Sequence, residues 1–470
     1  MRRPVACLVL CALACSGAPR RANTVILASG ADLQSANPLL TTHPLARQVQ
    51  RYALLVTLVR YDSTLTPIPY FARRWRWSDD SATITMDTFS GLSWHDGAPT
   101  TAHDAAWTLE AARAPATGYP RQTDLSALLS ATAPDDTTVV LRFSRATPRL
   151  PDVLTDLALL PRHLFDSLPQ NGLRRAGWNQ QPIGNGPFRF VAHEANRRWI
   201  FARNPDFPIA LGGPPRLERF VVAVVDEPTT KLAALTSGEL DLAGINPAHA
   251  EFVRKNPKLR VLDYPLLYSY ALLLNTRRAP FDRLAARQGL DAAIDRRAIV
   301  DGVLFGFGTP ATGPVPPPLI SGGTDDRHPQ SIRSDSGLRF EMLTVGSGEA
   351  ALEQMLQAQL QATGVRAEIR QLELSTYLDR VEGPGHDFDA AVLGFSGDLG
   401  LGHLARLVAL AGLRTEGSSE HLLRVIRDSV PAVFLYHARG VQGINRRVQG
   451  IRMDLRGELV TLSQWWVEDR

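Results

Sequence analysis

Apolar and polar positions along this chain fall into short segments that read as alternating strands and helices. Val25-Ile26-Leu27 is a first strand candidate, followed by a loop carrying Asn37-Pro38, and residues 46–60 mix apolar and basic positions at helical spacing. Ala82 to Phe89 alternates around Ile84 and Met86, the period-two pattern of a half-buried strand. His95-Asp96-Gly97 has turn composition, and Thr101 precedes Asp104 by three, a capping box that opens a helix through Trp107 and Leu109. Pro182-Ile183-Gly184-Asn185-Gly186-Pro187-Phe188 is a Gly/Pro-punctuated bend ahead of strands at Phe188 to Val191 and Trp199 to Ala202. Phe220 to Val225 reads as a fully apolar strand. Thr229 or Thr230 is expected to cap a helix with Leu232, Ala233 and Leu235 on one face, Gly238 to end it, and Leu240-Asp241-Leu242 to form the next strand. The same β-α-β order returns in residues 338–372. Strand Leu338 to Val345 leads to a helix with Leu352, Met355, Leu356 and Leu360, stopped by Gly364, then to a strand in which Val365, Ala367 and Ile369 alternate with charged residues. Such units predict right-handed crossovers and mixed sheets flanked by helices, an α/β chain. Gly313 to Gly337, rich in Pro, Gly, Ser and Asp, is the most linker-like stretch.

At 470 residues the chain is too long for one core and implies two or three folding units. Its 44% hydrophobic and 21% charged residues are ordinary for a globular protein. The pI near 9.1 invites a nucleic-acid reading, but the net charge is only +4. Lys occurs only at Lys231, Lys255 and Lys258, and the many Arg are scattered among acids, so no basic block marks a nucleic-acid partner. The start of the chain reads as an export leader. Arg2 and Arg3 precede a short apolar run from Val5 to Leu13, and Ala12-Leu13-Ala14-Cys15 follows, with Cys15 in the position of a lipidated cysteine. An ordinary cleaved secretory signal is the alternative. All three cysteines (Cys7, Cys11, Cys15) lie here, so past Cys15 there is no disulfide, thiol nucleophile or Cys-based metal site. No later segment reaches the roughly 18 apolar residues of a membrane-spanning helix.

Several short strings, taken in order, carry a resemblance. They are Leu92-Ser93-Trp94-His95-Asp96-Gly97 with Thr101-Ala102-His103-Asp104, the Pro182 to Phe188 bend, Arg203-Asn204-Pro205-Asp206-Phe207, and Leu235-Thr236-Ser237-Gly238-Glu239-Leu240-Asp241. Leu274-Asn275-Thr276 with Pro280-Phe281, and Arg287-Gln288-Gly289-Leu290 with Ala293-Ile294-Asp295-Arg296, complete the series. Together they resemble the peptide/nickel/oligopeptide-binding family of bacterial extracellular solute-binding proteins. The resemblance implies a two-lobed, periplasmic-binding-protein-like α/β fold with mixed sheets, a hinge, and an accessory domain on the first lobe. On that pattern residues 1–22 are lipoprotein signal peptide and tether; 23–52, 181–265 and 441–470 make lobe I; 53–180 are the accessory domain; and 266–440 are lobe II. Hinge crossings fall near Tyr264 to Tyr270 and Tyr436 to Gly440. Val430 to Tyr436 and Val448 to Ile451 resemble the family's closing strands. Two departures fall in lobe II: the helix between the Pro-rich loop and Leu338 is missing, and the segment between Asp398 and Pro431 is short. Lobe II is expected to be trimmed.

The resemblance also implies a function: a non-enzymatic receptor of an ABC import system, monomeric, anchored by lipid at the periplasmic or cell-surface side of a membrane. It would deliver a peptide or similar small solute to permease subunits, with no cofactor and no metal. Its best ligand candidate is Gly394-Phe395-Ser396-Gly397-Asp398, after a strand at Ala390 to Leu393. There Asp398 would pair with a ligand ammonium and Phe395 stands where the family has Trp. Tyr268 and Tyr270 flank the first hinge crossing and could line the cleft, although tyrosines in an alternating strand are more often simply packed. His95, Asp96 and Asp104 are explained by turn and capping geometry alone. The sequence contains no G-x-S-x-G, H-E-x-x-H or P-loop motif. An exported hydrolase, assembled from distant residues, and a degenerate binding protein serving as sensor or scaffold remain alternatives. The ligand is open among dipeptide, oligopeptide, metal chelate and sugar.

Overall fold

The computed structural model describes residues 23–468 apart from 148, 317–318, 320–336, 347–349, 398–400 and 416–417. The leader with Cys15, most of the linker-like stretch with its missing helix, and Asp398 therefore lie outside the described residues. Among the described residues no helix is long and apolar enough to cross a membrane.

Among the described residues the backbone of the molecule is an eleven-stranded mixed sheet. At one end, Thr24–Ser29 pairs in parallel with Arg219–Val224 and with the short strand Leu242–Gly244; Arg198–Arg203 and Phe188–Glu194 extend this end antiparallel. At the other end, Arg339–Val345 lies parallel between Arg366–Leu372 and Ala390–Ser396. The two ends are joined by two long antiparallel strands, Leu259–Leu274 and Ala432–Asn445. Leu259 to Pro265 pairs with Arg439 to Asn445 beside the first end, and Ser269 to Leu273 with Ala432 to His437 beside the second. The register shifts between Pro265 and Ser269, and again between Tyr270 and Ala271. Pro265 lacks a donor for the ladder, the usual circumstance of a proline at a strand irregularity. A separate four-stranded antiparallel sheet contains Thr83–Thr88 and packs under the helix Ala102–Arg113.

Local signals account for most elements. The strand Thr83–Thr88 buries Ile84 and Met86 on one face, and Thr101 with Asp104 forms the complete capping box. The Pro182 to Phe188 bend is a docking loop. A Cβ on Gly186 would stand 2.5 Å from the Ala53 carbonyl oxygen, and buried Asn185 accepts a bond from Val56 N at 3.0 Å. That docking explains why the helical spacing of residues 46–60 is honoured only through Leu54: the backbone beyond is drawn extended, with Asn185 N and Gly186 N both bonded to the Leu54 carbonyl.

Three expectations shift. The helix Pro228–Ser237 is capped by Glu227, whose carboxylate accepts Thr229 N and Thr230 N, so neither threonine is the cap; Pro228 at its first position makes Glu227 the last extended residue. The strand read at Leu240 to Leu242 begins at Leu242, because Asp241 turns its carboxylate to Arg447 at 2.8 Å and to Ile26 N. The strand read as ending at Leu393 continues to Ser396, held by pairing with Tyr268 to Leu274. Gly238 ends its helix in the left-handed conformation as expected, at φ 82.

Among the described residues the three largest apolar clusters divide along the same line as the sheet: one draws on Val25 through Val222 with Leu242, Tyr264 and Ile444 to Trp465, and two are built within Ala271 to Tyr436. A small cluster of Ala250, Phe307 and Val441 bridges the two ends.

Candidate functional site

Two pockets open where the long strands change partners, and Tyr268 and Ser396 line both. The first, about 790 Å³, lies at the C-terminal ends of the parallel strands Arg339–Val345 and Ala390–Ser396. From Arg339–Val345 the chain crosses to the strand on one side, and its next parallel strand lies on the other. A crevice forms at such a reversal because neighbouring crossovers diverge. Helices Ala351–Ala362, Leu374–Val381 and His403–Leu410 complete its walls.

Tyrosine dominates this pocket. Tyr268 meets Tyr270 edge to face at 5.4 Å, and Tyr270 stacks on Tyr436 at 4.8 Å. Gly394 makes room for this arrangement: a Cβ there would sit 2.5 Å from the Tyr268 hydroxyl oxygen. Burial, then the neighbouring Tyr268, pushes the Tyr270 hydroxyl up to about 12. Burial likewise raises Tyr377 and Tyr436 above the usual phenol range, with Glu353 adding to both. Tyr270, Tyr377 and Tyr436 are therefore neutral donors at physiological pH. Phe395 points from the strand into the pocket wall, stacked on His403 at 5.8 Å. Of the residues expected from the sequence, the structure thus gathers Tyr268, Tyr270 and Phe395 around one pocket; Phe395 does so from within a strand.

The second pocket, about 770 Å³, is lined by Pro265 to Tyr268, by the chain near Arg47 to Tyr61, and by Asp454 to Glu458. Its chemistry is basic. Asp156, 9% exposed, is held by Arg47, by Arg51 at 2.5 Å and by Arg121 at 2.6 Å. Burial would raise this carboxyl, but Arg51, Arg47 and Arg121 outweigh it and hold it below the usual carboxylate range. Arg121 also pairs with Asp124 at 2.5 Å, so three guanidinium groups face two carboxylates and one positive charge is left over. Arg60 lies over the Tyr70 ring at 3.5 Å, and Arg456 pairs with Asp454 at 2.6 Å. Glu458 accepts the Tyr264 hydroxyl at 2.6 Å, and burial raises its pKa, which weakens its claim on these cations. The pocket suits a carboxylate or another anion. The sequence reading did not single out these arginines; the helical spacing of Arg47 and Arg51 was its one trace.

His95, Asp96 and Asp104 stay out of both pockets. His95 Nε2 lies 3.1 Å from the Gly186 carbonyl oxygen, Asp96 meets His163 at 2.7 Å, and Asp104 closes its capping box, so all three are structural. Among the described residues no group of His, Cys, Asp and Glu is placed to hold a metal ion.

A mixed α/β sheet with two adjoining aromatic- and charge-lined pockets at the exchange point of its longest strands defines a ligand-binding α/β protein. The chain belongs to the bacterial extracellular solute-binding proteins, family 5, whose middle-region model matches residues 66–336. A Brucella ovis relative, described as an ABC transporter peptide-binding protein, is 30% identical over 256 residues, 54% of this chain and 48% of that one. The chain thus spans about half the length of such curated relatives. The fold matches the ABC transporter substrate-binding protein CtaP of Listeria monocytogenes at a TM-score of 0.84 with 19% identity, over 95% of this chain and 100% of that one. It also matches the Bacillus subtilis oligopeptide-binding protein AppA, solved with a nonapeptide, at a TM-score of 0.75 with 19% identity over 96% and 100% of the two chains.

Proposed function

We propose that this protein is the solute receptor of a bacterial ABC importer, capturing peptides or similar small solutes and passing them to a membrane permease. The observation that carries the reading is the pair of adjoining pockets at Tyr268 and Ser396, one rich in arginine and the other in tyrosine with acidic groups. A peptide offers a carboxylate to the first and apolar and cationic groups to the second. Family membership and the peptide-binding descriptions of the relatives support the same solute class.

Within this reading Tyr268, Tyr270 and Phe395 contact the solute, and Asp398, the sequence candidate for the ligand ammonium, closes the same stretch of chain. The molecule works as two lobes, 23–52, 181–265 and 441–470 against 266–440, with 53–180 attached to the first. The three largest apolar clusters and the register breaks in the two long strands support that division and a hinge in those strands. The receptor carries out no reaction of its own and acts as a monomer. It is exported and held to a membrane through Cys15, a reading that rests on the leader's composition.

Thermal unfolding against a panel of di- to nonapeptides, metal chelates and sugars tests the proposal. A ligand that binds only the folded state at 100 times its Kd stabilises by about 2.7 kcal/mol. A raised midpoint with peptides, lost in Tyr268→Ala, supports it; a shift with another solute class alone, or with none, refutes peptide capture. Incorporation of labelled palmitate that disappears in Cys15→Ser tests the anchor.

A further inference from the structure

Glu353 is a feature of the tyrosine-lined pocket that packing does not explain. It stands at the third position of the helix Ala351–Ala362, where a glutamate usually reaches back to the cap. Here the cap is Ala350, without a side-chain bond, and Glu353 turns instead into the pocket. The residue is 8% exposed. Its Oε1 accepts the Thr344 hydroxyl at 2.5 Å. Among the described residues its Oε2 has no hydrogen-bond partner and the carboxylate no ion pair.

Among the described residues of the walls, Arg406 donates to Glu382 at 2.5 Å on the rim, so the fixed cation of the cavity is already paired and none pairs with Glu353; His403 stacks on Phe395 in the same wall. Withdrawing most of a carboxylate from water without a counter-charge has a cost, and an Oε2 left open to the cavity is placed to pair with a cation that enters it. Tyr268, Tyr270, Tyr377, Tyr436 and Phe395 line the same cavity. Aromatic faces attract cations, so ring faces and carboxylate act in the same direction. Glu353 lines the same cavity as the rings of Tyr270, Tyr377 and Tyr436.

We propose that this cavity is a subsite for a positively charged side chain of the solute, a primary ammonium or a guanidinium, held by the Glu353 carboxylate against the tyrosine rings. The inference rests on the solute-capture reading and narrows it to basic peptides. It is separate from the basic pocket, which takes the opposite charge, and does not involve Asp398.

Isothermal titration of the purified protein with Ala-Lys, Ala-Arg and the uncharged near-isostere Ala-norleucine tests it, in wild type and in Glu353→Gln. Glutamine keeps an oxygen for the Thr344 hydroxyl, so the fold is retained, and an unchanged unfolding midpoint verifies this. A hydrogen-bonded charge pair in such surroundings should favour the basic peptides by about tenfold or more. Glu353→Gln should reduce that preference to about threefold or less. Equal binding of all three peptides, with no effect of Glu353→Gln, overturns the cationic subsite and leaves peptide capture standing. Binding of none of them overturns the subsite for dipeptides, and peptide capture is then decided by the panel of longer peptides. A preference for basic peptides that survives Glu353→Gln overturns the role of Glu353.

Discussion

Replacing Asp156 with Asn would leave three guanidinium groups packed around a neutral amide. In the native protein the Asp156 carboxylate is 9% exposed and receives Arg51 at 2.5 Å, Arg121 at 2.6 Å and Arg47. Breaking a buried charge cluster by removing one partner costs about 3–5 kcal/mol; here Arg47 and Arg51 lose their counter-charge while Arg121 keeps Asp124 at 2.5 Å. The three arginines are themselves partly exposed, and water will relieve some of their repulsion, so the lower end, about 3 kcal/mol, is expected. Against a typical total of about 5–15 kcal/mol that is a large loss. Urea unfolding at neutral pH, following the midpoint, is the assay. A second variant isolates the cause: Asp156→Asn combined with Arg51→Met removes one excess charge and should recover part of the loss. The pH dependence has a definite sign. Asp156 titrates lower folded than unfolded, so its contribution is complete above about pH 4 and fades as the pH falls towards the folded value. A loss under about 1 kcal/mol, or a double variant less stable than Asp156→Asn alone, would refute the charge-cluster reasoning.

Three further outcomes are expected. Gly186→Ala drives a Cβ into backbone atoms of Ala53, Leu54 and Leu55 at 2.5–2.7 Å, whereas Gly394→Ala meets only the Tyr268 side chain. The first should therefore cost more than the second, which should fall near the usual 1–3 kcal/mol of overpacking, about 2; equal unfolding midpoints would contradict this. Burial holds His437 and His95 to about 4, well below the ordinary imidazole value. The stability gained by keeping them neutral is complete above about pH 6.5 and lost as the pH falls towards 4; NMR titration with midpoints near 6.5 would disprove it. Thr101→Ala removes one half of the capping box and should cost about 1 kcal/mol in urea unfolding, with no change in solute affinity.

The order of strands and helices, the α/β class and the ordered strings of the solute-binding family were legible in the chain because each rests on interactions among residues a few positions apart. The alternation around Ile84 and Met86, the Thr101–Asp104 box and the left-handed Gly238 are of this kind. Even so, nearby competition altered details. Pro228 and the reach of the Glu227 carboxylate displaced Thr229 and Thr230 from the cap. Strand pairing with Tyr268 to Leu274 carried Phe395 from a supposed loop into a strand. The pockets were another matter. Tyr268, Tyr270 and Phe395 could be named, but Tyr436, which stacks on Tyr270, is a residue of another strand, and Glu353 reaches the cavity only because its helix packs beside those strands. Arg47 and Arg51 find Asp156 across 109 and 105 residues. With 51 basic and 47 acidic residues in the chain, residue type cannot say which carboxylate a given arginine will meet. Local periodicity decided the elements; only the closing of the sheet decided which charges and rings share a cavity, because that depends on contacts between distant segments that no short-range pattern encodes.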